Sequence, residues 1–259
     1  MSPGGHTLMC IVLELCVDSV EGAIAAQAGG ANRIELCCSL HEGGLTPDEE
    51  LLHALRSEVD LPIHVMIRPR GGDFNYVAAE LDVMMRKIES VQSLGADGIV
   101  LGVLTPEMEV DTETLRRLID AASPMQVTFH RAFDISTSLV RSLEDIIAAG
   151  AARILTSGGE RDAATGATRL AELVPTARGR IGIMAGGGVR LENVRELVLI
   201  SGVREIHSSL RRQNGDRHEQ RKETTIGEQF DSNSHSSVRE EDVRAMRTIL
   251  DEIELFPDL

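Results

Sequence analysis

Ala28-Gly-Gly-Ala-Asn-Arg-Ile-Glu-Leu36, Leu94-Gly-Ala-Asp-Gly-Ile-Val100 and Ala149-Gly-Ala-Ala-Arg-Ile-Leu155 are three versions of one local unit. Each ends a helical pattern on a glycine, which suits a helix C-terminus. Each then runs straight into a short, β-rich segment. Working outward from them, the same alternation fills the chain. Strands are predicted at Val12–Val17, Arg33–Cys37, Ile63–Arg68, Gly98–Leu101, Gln126–His130, Arg153–Thr156, Arg180–Met184 and Arg204–His207. Helices are predicted at about Ser19–Ala28, after Thr46-Pro47, and at about Ala78–Leu94, Asp111–Ala122, Thr137–Ala149, Ala163–Leu173, Leu191–Ile200 and Glu240–Ile253. Eight β units alternating with helices call for a parallel sheet, and eight strands close a barrel. The expected fold class is α/β, a single (β/α)8 TIM barrel. An open doubly wound sheet is the rival, but it rarely uses eight evenly spaced units.

The 259 residues are normal for one such barrel. Residues 1–11 read as an N-terminal extension and 12–259 as the barrel domain, with 240–253 as its last helix. Residues 211–237 are polar and charged without apolar periodicity, which predicts an exposed or disordered loop. Aromatic residues make up only 2% of the chain, so the core must come from Ile, Leu, Val, Ala and Met. The net charge of −15 disfavours nucleic acid and anionic membrane surfaces. The apolar run Leu8–Val17 carries Glu14 and lacks a basic leader, so it reads as a buried strand rather than a signal or membrane span. All four cysteines lie within the first 38 residues. That clustering suits reduced thiols and a cytoplasmic protein better than a disulfide scaffold.

Alternation along each strand separates helix-facing from lumen-facing side chains. Leu13, Leu15, Val17, Ile34 and Leu36 take the helix side. Glu14, Cys16, Glu35, Cys37, His64, Met66, Arg68, Thr128, His130, Glu205 and His207 are left facing inward. Branched aliphatics usually fill this lumen. So many ionisable groups are costly there unless paired. They form either a self-satisfied network or a polar site at the C-terminal face, where sites in this fold sit.

Loops after the strands favour a site. Arg68 and Arg70 could clamp an anion. Ser157 and Gly158 follow strand six, Gly186-Gly187-Gly188 follow strand seven, and His207-Ser208 close strand eight. Such loops cradle phosphate through backbone N–H groups, though each alone could be a tight turn. Cys16 and Cys37 form a second constellation, each in a Glu-Leu-Cys tripeptide on adjacent strands. Two thiolates match soft Cu(I), and Met66 could add a thioether. The competing reading is two buried structural cysteines.

Several motifs bear on the family. Leu13-Glu-Leu-Cys-Val-Asp-Ser-Val20, Gly29-Gly-Ala-Asn-Arg-Ile-Glu-Leu-Cys37 and Glu42-Gly-Gly-Leu-Thr-Pro47 come first. Met66-Ile-Arg-Pro-Arg-Gly-Gly-Asp-Phe74, Thr128-Phe-His-Arg-Ala-Phe-Asp134, Ile154-Leu-Thr-Ser-Gly158 and His207-Ser-Ser209 follow in order. Together they resemble the CutC family from about Leu13 to Leu210. The resemblance implies a (β/α)8 barrel linked to cytosolic copper homeostasis, often as a homo-oligomer. It places the family's proposed Cu(I) ligands on Cys16 and Cys37. After Leu210 the sequence departs from the family pattern.

Two functions are expected from these residues. One is Cu(I) binding, with copper held by Cys16 and Cys37. The other is an enzyme acting on a small phosphorylated or carboxylated metabolite. There Glu35, Arg68 and His130 would be catalytic. Arg70, Ser157, Gly158, Gly187, Gly188, His207 and Ser208 would bind the anion. No lysine ends a predicted strand, which disfavours Schiff-base chemistry. A pure scaffold would leave the polar lumen unexplained.

Overall fold

The computed structural model describes residues 10–211 and 238–255. Eight strands form its barrel: β1 (Val12–Val17), β2 (Arg33–Leu36), β3 (Ile63–Met66), β4 (Gly98–Leu101), β5 (Gln126–Phe129), β6 (Arg153–Thr156), β7 (Gly182–Ala185) and β8 (Glu205–Ser208). They pair in chain order, and parallel β1–β8 pairing closes the ring. The helices are α1 (Val20–Gly29), α2 (Glu49–Glu58), α3 (Ala78–Ser93), α4 (Thr112–Ala122), α5 (Leu139–Ala149), α6 (Ala167–Ala177), α7 (Val194–Ser201) and α8 (Glu240–Leu255). This is the parallel (β/α)8 barrel that the repeated unit predicts. No helix among the described residues is long and apolar enough to cross a membrane.

The repeated glycines act as helix stops. Gly30 and Gly150 adopt φ of 92° and 95°, and each amide turns back onto carbonyls of its own helix. A Cβ is disfavoured in that conformation, so glycine there frees the chain to drop into the next strand. At the other end of α1, Ser19 Oγ accepts the Gly22 amide. Such a cap contributes about 1 kcal/mol.

The core lies between barrel and helices. Leu13, Leu15, Val17, Ile34, Leu36, Ile63 and Val65 are fully buried there. Burying each such side chain contributes roughly 1.5–3 kcal/mol. Helix α8 packs chiefly on α1, where a Cβ on Gly29 would lie 2.4 Å from Val243 Cβ. Ile11 is also fully buried, and its carbonyl accepts from Arg247 on α8. Residue 11, expected in an N-terminal extension, is therefore packed into the barrel. The rest of that extension up to residue 9, and residues 212–237 of the loop expected at 211–237, lie outside the described residues.

One helix starts later than its pattern suggests. The segment before α6 is pinned to neighbouring loops: the Ala163 amide donates to Gly187 O and the Thr165 amide to Asp162 Oδ1. Gly166 presses so closely on the Ser157 carbonyl that a Cβ would sit 1.8 Å from its oxygen. Helical geometry is free to begin only at Ala167.

Candidate functional site

The lumen is ordered in layers, beginning with ion pairs. Arg33 pairs with Glu14 through Nε and with Glu205 through an Nη at 2.8 Å. Arg153 reaches Glu205 at 3.0 Å and donates to Thr128 Oγ1 at 3.3 Å. Glu14 also bonds His207 Nδ1 at 2.7 Å. Burial opposes ionisation of Glu14, but Arg33 and then His207 outweigh it and hold its carboxyl far below the usual range. The lower lumen is thus the self-satisfied network that the sequence allows. Arg33 and Arg153 complete it. The reading from sequence omitted both, although Arg33 shares strand parity with Glu35.

Two glycines make room for imidazoles. A Cβ on Gly98 would lie 2.6 Å from the His64 ring, and one on Gly102 would lie 2.5 Å from His130. His64 is pushed down to about 4 and His130 to about 3, mainly by burial. Both rings are neutral at physiological pH.

Above the network a cavity of about 510 Å³ opens at the C-terminal ends of the strands. Cys16, Glu35, Arg68, His130, Gly187, Gly188, His207 and Ser208, all singled out from sequence, lie on its wall. Cys16 Sγ stands 3.2 Å from Cys37 Sγ, which is completely buried behind it. Both cluster with Met66 and Val100 in a small apolar nest. The Cys37 contact, then burial and Glu35, push the Cys16 thiol well above its usual range. Glu35 is opposite Cys16 in the β1–β2 register. Burial chiefly raises its carboxyl, and its Oε1 has no hydrogen-bond partner. Its Oε2 is 3.8 Å from His207 Nε2. Burial works against protonation of His207, but Glu35 and Glu14 outweigh it and raise the imidazole.

Other candidates have different tasks. Arg68 spends its terminal nitrogens on the carbonyls of Glu42, Gly44 and Gly72, tying two loops together beside the Phe74 ring. His130 Nδ1 accepts the Ala132 amide at 3.2 Å, so the neutral ring carries its proton on Nε2. With its ring held neutral and Nδ1 occupied, His130, expected to be catalytic, has Nε2–H to offer as a hydrogen-bond donor.

Three residues expected to bind the anion do not reach this cavity. Arg70 is held by Glu80 at 2.6 Å and Asp73 at 2.9 Å. Ser157 is bound to Asp134, Arg131 and Glu160 O. Gly158 lines a separate cavity of about 390 Å³. Arg131, Arg190 and Arg211 line the main cavity instead, Arg131 paired with Asp134 and Arg211 with Asp18. None was given a role from sequence, although Arg131 follows His130 directly.

Comparison with known proteins places this geometry. The CutC family model matches residues 11–212, which include the whole cavity wall. The chain belongs to the CutC family. A CutC family protein from Chromobacterium violaceum is 48% identical over 202 residues, covering 78% of this chain and 82% of that one. One from Xylella fastidiosa is 49% identical over 199 residues, covering 77% and 74%. A crystal structure from Streptococcus agalactiae, of a CutC protein named for copper homeostasis, superposes with a TM-score of 0.73 at 32% identity. That superposition covers 77% of this chain and 98% of the other. The CutC match ends at residue 212, beside Leu210, where the sequence departs from the family pattern.

Proposed function

We propose that this protein binds Cu(I) between the thiolates of Cys16 and Cys37 and serves copper homeostasis in the cytoplasm. The observation that carries this reading is the 3.2 Å between the Cys16 sulfur, on the wall of an open cavity, and the Cys37 sulfur buried behind it. Paired sulfur donors suit a soft monovalent ion, and Met66 packs beside them as a thioether. The name of the Streptococcus agalactiae relative points the same way. Four free cysteines fit a reducing compartment. The ion is cargo here, and it must displace protons from the thiols, so apparent affinity rises with pH. Anaerobic Cu(I) titration against a competing chelator tests the reading. One ion per chain is expected, with at least a hundredfold loss in a Cys16→Ser/Cys37→Ser double variant. Equal affinity in that variant would sink it.

A second reading rests on a separate observation, the arginines and glycines around the same cavity. Arg131, Arg190, Arg211, Gly187 and Gly188 all line it. They suit a small phosphorylated or carboxylated metabolite. In an enzyme of this kind Glu35 would transfer the proton and His130 Nε2–H would donate to a developing negative charge. Saturable binding of inorganic phosphate, weakened at high salt, is the expected result. Absence of binding would count against it. Self-association is proposed through the outer helices, where Leu199 and Ile200 are 44% and 47% exposed. Light scattering that finds a monomer would exclude it.

A further inference from the structure

We infer that Glu35 is a third metal ligand, and that Cys16, Cys37 and Glu35 together form a site for a borderline divalent cation of the Zn2+ class. This rests on the reading of the two cysteines as ligands and changes what they are expected to hold.

The geometry argues first. One carboxylate oxygen of Glu35 and the two sulfurs all lie within 4.8 Å of one another. Glu35 is only 2% exposed, yet its Oε1 has no hydrogen-bond partner. An unpaired buried carboxylate oxygen costs free energy unless a proton, a water or a cation satisfies it. Its place beside two sulfurs makes a cation the economical partner. A tetrahedral ion with metal–sulfur bonds of about 2.3 Å holds its sulfurs roughly 3.8 Å apart. The observed 3.2 Å needs to open by only about 0.6 Å to reach that spacing. A linear two-coordinate ion with bonds of the same length would need twice that length, about 4.6 Å, between the two sulfurs.

Charge argues second. Two thiolates and a carboxylate carry three negative charges. A monovalent ion leaves two uncompensated in a buried site, and a divalent ion leaves one. Donor chemistry agrees: a carboxylate oxygen is a poor ligand for Cu(I) but an ordinary one for zinc. Three protein donors leave a fourth position, and Cys16 and Glu35 both belong to the cavity wall. Structural zinc sites are closed by four protein ligands, whereas an open position is the mark of a site that takes a small molecule.

Cobalt(II), a coloured substitute for zinc, gives a direct readout. Titration of the reduced, metal-free chain should produce sulfur-to-cobalt charge-transfer absorption that saturates at one ion per chain and is abolished by added Zn2+. Glu35→Gln should weaken Co2+ and Zn2+ binding at least tenfold while changing Cu(I) binding less than threefold. Unaltered Co2+ affinity in Glu35→Gln overturns the inference. So does Cu(I) binding without any cobalt–sulfur band, which would leave the copper reading standing. Failure of both ions to bind the wild-type chain overturns both. Zinc X-ray absorption on the wild-type chain needs no variant to fold. Two sulfurs with lighter neighbours are expected, and a shell of light atoms alone overturns the site.

Discussion

His207 Nδ1 lies 2.7 Å from Glu14 Oε1, and the other oxygen of that carboxylate is held by Arg33. A residue on β8 is thereby locked to the first two strands across the seam where the barrel closes. Because Glu14 stays ionised, it accepts, and the neutral His207 ring keeps its proton on Nδ1. Removing the carboxylate leaves Arg33 buried with only Glu205. Glu14→Gln is expected to cost about 3–5 kcal/mol in urea unfolding. A loss below about 1 kcal/mol would mean that the network relaxes around the change.

The same contact predicts a pH dependence. His207 is raised in the folded chain. Its stabilising contribution is therefore complete below the unfolded value of about 6.5 and disappears as pH rises through the folded value. Glu14→Gln should lower the His207 midpoint in a histidine NMR titration.

His64 and His130 work with the opposite sign. They are depressed to about 4 and about 3. Each contributes stability above the unfolded value, lost as pH falls from about 6.5 toward the folded value, with a slope approaching about 1.4 kcal/mol per pH unit. Their ring protons should not titrate between pH 8 and about 5. A normal histidine midpoint at either position would contradict the packing described.

Gly102→Ala should disturb the cavity from behind, since its Cβ would lie 2.5 Å from the His130 ring. Overpacking of this kind costs about 1–3 kcal/mol. A lowered Tm and a shifted His130 signal are expected. An unchanged Tm would show that the ring can move aside.

Arg70 and Gly187 separate surface charge from site. Arg70→Ala should leave phosphate affinity within twofold, because Glu80 and Asp73 already hold the guanidinium. Gly187 has φ of +96°, and a Cβ there would sit 2.8 Å from an Arg131 nitrogen. Gly187→Ala should weaken phosphate binding severalfold, as read by calorimetry. The reverse order would place the anion on the outer loop.

The barrel was legible because its signals are local: a glycine stop, then a short run whose alternate residues are apolar. The inward set from Glu14 to His207 followed from that parity. What was not legible depends on partners distant in sequence. Arg70 looks like an anion clamp until Glu80 is folded beside it. Ser157 looks like a phosphate donor until Asp134 takes its hydroxyl. Arg33 and Arg153 begin their strands, where parity alone does not say which carboxylates they will meet, yet they neutralise Glu14 and Glu205. Pairing across a lumen sets the effective charge of every group in it, and one-dimensional patterning does not encode that pairing.

The contact of Gly29 with Val243 joins positions at opposite ends of the chain, as does the β1–β8 pairing. During synthesis the first strand therefore waits for nearly the whole sequence before its edge can be covered. At about 5–20 residues per second, the roughly 200 residues between them take about 10–40 s to emerge. For that interval an apolar strand with unsatisfied backbone groups stands open to other nascent chains. Aggregation during expression should therefore respond to translation rate and chaperone supply more than to the stability of the finished barrel.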